Sequence, residues 1–254
     1  MLKRPIRGSI PAAGTDEGRP RVRIAEIFAS LQGEGLLAGT PSVFVRTSGC
    51  NLRCTWCDTP FTSWTPEGED WAVPRIIDRV MAAGVRHAVV TGGEPLLFGE
   101  TVELCGLLRA AGVHVTIETA GTVLPGVGDV EADLMSISPK LASSTPAAAE
   151  AGSWAARHEA ARRRDDVVRS LMRPGRWQLK FVIDSRADLA EAVDWIAALG
   201  VERSDRRSVF MMPQGRSAAE LSSTAAWLES ACRDHGFRFA PRHHIDWFGH
   251  ARGT

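Results

Sequence analysis

An α/β fold on a largely parallel sheet, open or curled into a barrel, is what this 254-residue sequence predicts. Two observations carry the prediction. Apolar stretches rich in β-branched residues recur at near-regular intervals, and helical patterns lie between most of them. The length suits one domain with a sizeable core.

The strand-like stretches are residues 22–28, 42–47, 87–91, 114–119, 133–138, 177–183 and 208–212. Between them, Ile76, Ile77, Val80 and Met81 share a helix face that stops before Gly84. Leu104, Leu107, Leu108 and Ala111 do the same before Gly112, as do Leu189, Val193, Ile196 and Ala197 before Gly200. Ser217 and Glu220 fit a capping box, after which Leu221, Ala225, Leu228 and Cys232 line one face up to Gly236. Residues 1–20 read as a mobile polar tail and 21–254 as the folded unit. Residues 142–176 break the rhythm, passing from an Ala/Ser/Pro-rich start into an Ala/Arg-rich helical pattern over 155–171. That stretch is too short for a core of its own. It reads as a solvated insertion or lid, and its Arg-Arg-Arg-Asp-Asp run as a wet helix face.

Formal net charge is zero, which argues against wholesale attraction to nucleic acid or an anionic membrane. No apolar run reaches the ~18 residues of a membrane span. The N-terminus lacks the apolar region of a secretory signal, so the cytoplasm is the expected compartment. Five cysteines, three of them within eight residues, do not suggest a disulfide scaffold. Lys3, Lys140 and Lys180 are the only lysines among 30 basic residues. A chain so biased to Arg keeps Lys where a guanidinium would not serve, which marks Lys140 and Lys180.

Cys50, Cys54 and Cys57 follow the second expected strand in a polar loop that also holds Asn51, Arg53 and Asp58. Three thiolates from one loop suit a 4Fe-4S cluster and leave one iron open to the amine and carboxylate of a small molecule. A zinc site would need a fourth ligand, available only from distant histidines. Simple core packing is at odds with the loop's polarity. Cys105 and Cys232 fall in apolar helical patterns and read as core residues. Thr91-Gly-Gly-Glu-Pro95 follows another expected strand, where Gly92 and Gly93 allow backbone to approach a ligand.

With Trp56 in its aromatic slot, the cysteine motif resembles the signature of the radical S-adenosylmethionine superfamily. Further segments resemble the 7-carboxy-7-deazaguanine synthase family, over about residues 23–247. They are Ser30-Leu-Gln-Gly-Glu-Gly35, Arg46, Cys57-Asp-Thr59, Glu118-Thr-Ala-Gly-Thr122, Ser136-Ile-Ser-Pro-Lys140 and Met212-Pro-Gln-Gly215. The resemblance implies an incomplete parallel β/α barrel of about six strands with a helical insertion. It implies a 4Fe-4S cluster on Cys50, Cys54 and Cys57, S-adenosylmethionine as cofactor, and Mg²⁺ at Thr59. The implied substrate is 6-carboxytetrahydropterin. Hydrogen abstraction from the carbon bearing its carboxylate, ring contraction and loss of ammonia would give 7-carboxy-7-deazaguanine, an intermediate of queuosine and related deazapurines.

The family's cofactor positions fall on Trp56, Gly93, Glu94, Ser138, Pro139, Lys140, Pro213 and Gln214. Its substrate positions fall on Leu31, Gln32, Gly33, Glu34, Arg46, Thr91 and Glu118. At the C-terminus they fall on His243, in preference to His244, and on Thr254. Arg46 also stands on chemistry, because a guanidinium grips a carboxylate with two hydrogen bonds. Thr59 has a simpler alternative role, capping the turn at Pro60. Lys180 has no counterpart and reads as a buried ion-pair partner or a cofactor contact. Strand C-termini, where most of these positions lie, are where parallel α/β enzymes place their chemistry.

The resemblance also implies a homodimer served by an external electron donor such as flavodoxin or ferredoxin, while the balanced charge points to no nucleic-acid or membrane partner. Two other readings stay open. One is a glycyl-radical activase, which shares the cysteine spacing but acts on a protein. The other is a non-catalytic zinc-binding interaction protein.

Overall fold

The computed structural model describes residues 18–173, 175–249 and 251–254, so residues 1–17 of the expected tail lie outside the described residues. Nine strands form one sheet: β1 Arg21–Leu31, β2 Pro41–Thr47, β3 Glu69–Ala72, β4 His87–Gly92, β5 His114–Thr119, β6 Leu134–Ile137, β7 Trp177–Ile183, β8 Val209–Pro213 and β9 Arg238–Phe239. Their order is β3-β1-β2-β4-β5-β6-β7-β8-β9. From β2 onward every pairing is parallel, while β1 joins β2 and β3 antiparallel. The sheet does not close, and the fold is an incomplete parallel barrel. Each of the seven expected strands is present to within a few residues. β3 and β9 were not expected: Glu69 and Asp70 interrupt any apolar pattern, and a two-residue strand carries no period.

The helices are α1 Pro60–Ser63, α2 Val73–Met81, α3 Glu100–Ala110, α4 Ala148–Ala151, α5 Ser153–Arg162, α6 Asp165–Met172, α7 Arg186–Ala198, α8 Ala218–His235 and α9 His243–Phe248. Strand side chains alternate between two faces. On one face Val43, Val45, Ala88, Val90, Val115, Ile117, Leu179, Phe181 and Met211 pack against Ile76, Val80, Leu104, Leu108, Ile196 and Leu228 of the helices. Burying each such large aliphatic side chain stabilises by roughly 1.5–3 kcal/mol. The intervening residues Arg46, Thr91, Glu118 and Lys180 therefore share the other face. Among the described residues no helix is long and apolar enough to cross a membrane.

Local signals were partly redistributed. Gly236 ends α8 in the left-handed conformation, as its position implied. The capping box at Ser217 is only half formed: Ser217 accepts from Glu220 N, but the Glu220 carboxylate accepts from Arg216 N. The reciprocal box belongs instead to Ser185 and Asp188 at α7.

The pattern over 155–171 is two helices, broken at Arg163 and Arg164. These two pair with Asp165 and Asp166 in the first turn of α6, where carboxylates favour the helix N-terminus. Nor is the stretch merely solvated. Val167, Val168 and Leu171 join the main core, and Arg162 is buried between Glu159 and Glu191.

Candidate active site

The parallel register puts chemistry in one row. Arg46 pairs with Thr91 across β2 and β4, Glu118 with Ser136 across β5 and β6, and Ser136 with Gln178 across β6 and β7. Thr91 Oγ1 donates to Glu118 Oε2 at 3.1 Å, joining the two halves of the row. Lys180 lies one face-repeat beyond Gln178. Arg46, Thr91, Glu118 and Lys180 line a cavity of about 500 Å³ that the cysteine loop bounds on one side and the chain end on another. That size suits a small cofactor with a substrate beside it.

The cysteine loop leaves β2 at Thr47 and is held by its own polar groups. Arg53 Nη1 donates to the carbonyls of Cys50 (2.9 Å) and Leu52 (2.7 Å), and Trp64 Nε1 donates to Cys54 O (3.0 Å). Leu52 is fully buried and anchors the loop against Ala120. Gly93 is also required for packing: a Cβ on it would sit 2.1 Å from Gly49 O. Its neighbour Glu94 N donates to that same carbonyl, which ties the end of β4 to the loop.

All five cysteines are free thiols. Burial pushes Cys50 and Cys54 up to about 12, so each needs a strong cation to become a thiolate. Iron meets that need, and three soft donors on one loop at a cavity edge fit a 4Fe-4S cluster. Among the described residues no three His, Cys, Asp or Glu side chains gather closely enough for a single metal ion. A four-iron cluster takes each thiolate on a different iron and needs no such gathering.

Facing the cysteines is a buried charge network. Lys180 Nζ donates to Glu34 Oε2 (2.9 Å) and Glu118 Oε1 (3.1 Å). Arg242 reaches Glu34 through Nε (3.2 Å) and Asp58 through Nη2. Gln32 Nε2 donates to Glu118 Oε1 at 3.3 Å. Burial alone would raise both glutamates. Lys180 and Arg242 outweigh it for Glu34, which is held well below the usual carboxylate range, and Lys180 does the same for Glu118. The two carboxylates in turn raise Lys180 despite its burial. Lys180 is thus a buried ion-pair partner, one of its two expected roles.

The structure brings Leu31, Gln32, Gly33, Glu34, Arg46, Thr91, Glu118, Trp56, Thr59, Gly93, Ser138, Lys140 and Thr254 to the cavity with the three cysteines. Thr59 precedes α1, but its side chain makes no capping bond and its hydroxyl accepts from Thr62 Oγ1 (3.1 Å). Lys140 Nζ curls back onto Ser138 O and Oγ, both at 2.8 Å.

Five expected residues do not line the cavity: Glu94, Pro139, Pro213, Gln214 and His243. Glu94 is fully buried, its carboxylate accepting from Leu96 N, Thr119 Oγ1 and Ala120 N. His243 stacks on Trp247 one turn along α9, and His244 takes its place, packed on Gly33 and 3.8 Å from Glu34. Reading the pair from sequence gave no helix phase for so short an element. Glu26, Asp58, Arg242 and Arg252 also line the cavity and were missed. Arg242 directly precedes the expected His243, but nothing in the sequence distinguishes it from 26 other arginines.

A parallel incomplete barrel with a three-thiol loop at its C-terminal edge defines an enzyme of the radical S-adenosylmethionine type, and the Radical SAM superfamily model matches residues 44–227. Two 7-carboxy-7-deazaguanine synthases extend the likeness over nearly the whole chain. That of Rhodopirellula baltica is 45% identical, covering 91% of this chain and 88% of the relative. That of Halobacterium salinarum is 43% identical, covering 92% and 93%. The crystal structure of QueE from Escherichia coli shares the fold with a TM-score of 0.63 at 21% identity, over 88% of this chain and 95% of that one. The chain belongs to the radical SAM superfamily and, within it, to the 7-carboxy-7-deazaguanine synthase family.

Proposed function

We propose that this protein converts 6-carboxytetrahydropterin to 7-carboxy-7-deazaguanine. The observation that carries the reading is one cavity bounded by Cys50, Cys54 and Cys57 on one side and by Arg46, Glu118, Glu34 and Lys180 on the other. The cluster and S-adenosylmethionine, when bound, supply a 5′-deoxyadenosyl radical that abstracts hydrogen. The protein's own residues bind, orient and exclude water. A pterin presents N–H donors along its pyrimidine edge, and the ionised Glu118 beside the Gln32 amide offers acceptors to them. Arg46 suits the substrate carboxylate, although in this structure its Nε bonds Glu26 Oε1 at 2.7 Å. Ser138 and Lys140 would hold the cofactor, and Thr59 a Mg²⁺ ion that polarises substrate oxygens.

The chemistry requires an external one-electron donor of the flavodoxin or ferredoxin kind. Five free thiols suit a reducing compartment, so we place the enzyme in the cytoplasm, as a homodimer. The test is anaerobic incubation of reconstituted protein with reductant, S-adenosylmethionine, Mg²⁺ and 6-carboxytetrahydropterin, followed by mass spectrometry. 7-Carboxy-7-deazaguanine is expected. Cleavage of the cofactor without that product, on a protein carrying four irons, would favour an activase acting on a protein glycine instead.

A further inference from the structure

The described residues of 142–176 supply nothing to the cavity wall, yet they meet the cysteine loop from behind. Ser144 O accepts from Thr55 N at 3.0 Å, and the Trp154 ring lies 3.9 Å from the Arg53 guanidinium carbon. Ala161 packs against Leu52, Cys54 and Ala120. His158, with 0% exposure, sits at the centre of this contact.

Both ring nitrogens of His158 are engaged. Nδ1 is 3.0 Å from Arg53 N, and Nε2 is 2.9 Å from Ser144 Oγ. The Ser144 hydroxyl donates to Leu141 O at 2.6 Å, so towards His158 it accepts. The ring proton is thereby fixed on Nε2, and Nδ1 is free to accept from the Arg53 amide. That amide belongs to the Leu52–Arg53 peptide, midway between the first two cysteines. The carbonyl of the same peptide accepts from Arg53 Nη1 at 2.7 Å. Both polar ends of one peptide unit in the loop are therefore tied, one by the loop itself and one by the insertion.

We propose that His158 is a positioning residue for the iron–sulfur site: by accepting from Arg53 N it fixes the peptide plane between Cys50 and Cys54, so the insertion is a brace behind the loop rather than a lid. The assignment rests on the cluster reading of the three cysteines. Without the acceptor the buried amide loses its partner, and the loop gains freedom where two ligands must hold their spacing.

The experiment compares His158→Asn, which keeps an acceptor near the Nδ1 position, with His158→Phe, which fills the volume without one. Anaerobically reconstituted proteins are assayed for the rate of iron release to a chelator and for the EPR spectrum of the reduced cluster, with melting of the cluster-free protein as the folding control. Roughly tenfold faster release and an altered spectrum are expected for His158→Phe, with His158→Asn within about threefold of wild type and spectrally unchanged. Wild-type release and spectrum in the Phe variant would overturn the proposal, as would equal impairment of Asn and Phe. If His158→Phe does not fold, Ser144→Ala decides, since it removes the Nε2 partner and keeps the Ser144 carbonyl. Faster release then supports the proposal, and an unchanged rate overturns it. Failure of the cluster reading is distinguished by wild-type protein itself taking up no iron.

Discussion

Lys180 Nζ lies 2.9 Å from Glu34 Oε2 on the floor of a cavity whose opposite wall is the cysteine loop. This lysine also holds Glu118, so one buried cation keeps two carboxylates ionised. Removing it takes away the strongest pull against burial at both carboxylates, so both shift upward, Glu118 more freely because Arg242 still faces Glu34. Lys180→Met is expected to raise KM at least tenfold and to move the acid limb of the kcat/KM profile upward in pH. In the wild type the folded pKa values are depressed, so ionisation persists below 4.5 and is lost only as pH falls further. Rate profiles between pH 5 and 8 read the difference. The variant also loses about 3–5 kcal/mol of stability, the cost of uncompensated buried charge.

Arg46 tests substrate recognition. A lysine keeps the charge but not the two-pronged geometry. Loss of one charge-assisted hydrogen bond, about 1.5–3 kcal/mol, corresponds to roughly 10–150-fold. Arg46→Lys should therefore raise KM by that order with kcat within a few-fold of wild type. A loss confined to kcat would remove Arg46 from ground-state binding.

Glu94 separates structure from cofactor binding. Its carboxylate receives three donors in a fully buried setting. In Glu94→Gln an amide NH₂ must face some of those donors, at a cost of about 1–3 kcal/mol. Melting of the cluster-free protein is expected to fall by roughly 2–10 °C. Affinity for S-adenosylmethionine in the reconstituted protein should change less than about threefold. Unchanged melting with lost cofactor affinity would return Glu94 to the cofactor site.

His87 predicts a pH dependence of stability. Its ring nitrogens meet Ser42 Oγ (2.7 Å) and Thr116 Oγ1 (2.8 Å), and burial, with His114 beside it, lowers it to about 4. Glu118 and Asp133 pull the other way but less strongly. Above pH 6.5 the ring is neutral folded and unfolded. Between 6.5 and 4 only the unfolded chain takes the proton, so stability falls by at most about 1.4 kcal/mol per pH unit. Thermal melts of wild type and His87→Gln from pH 7 to 4.5 should diverge in that direction.

Much of this was legible in the residues. The cysteine spacing, the Gly-Gly-Glu turn and the strand rhythm are local signals, and the parallel register turned strand-end positions such as Arg46, Thr91 and Glu118 into one row. What stayed hidden depends on tertiary placement. Arg242 reaches Glu34 from 208 positions away and Glu26 meets Arg46 across a hairpin, and neither contact has a period. The choice between His243 and His244 turned on the phase of a six-residue helix. Residues 142–176 looked solvated because their composition is rich in alanine and charge, while Val167, Val168 and Leu171 face the core.

The most direct test uses 6-carboxytetrahydropterin deuterated at the carbon bearing the carboxylate, turned over by the reconstituted enzyme with S-adenosylmethionine. Deuterium is expected at the 5′ position of the recovered adenosyl group, together with 7-carboxy-7-deazaguanine in the product fraction. An adenosyl group free of deuterium while the substrate is consumed would contradict radical abstraction in this cavity.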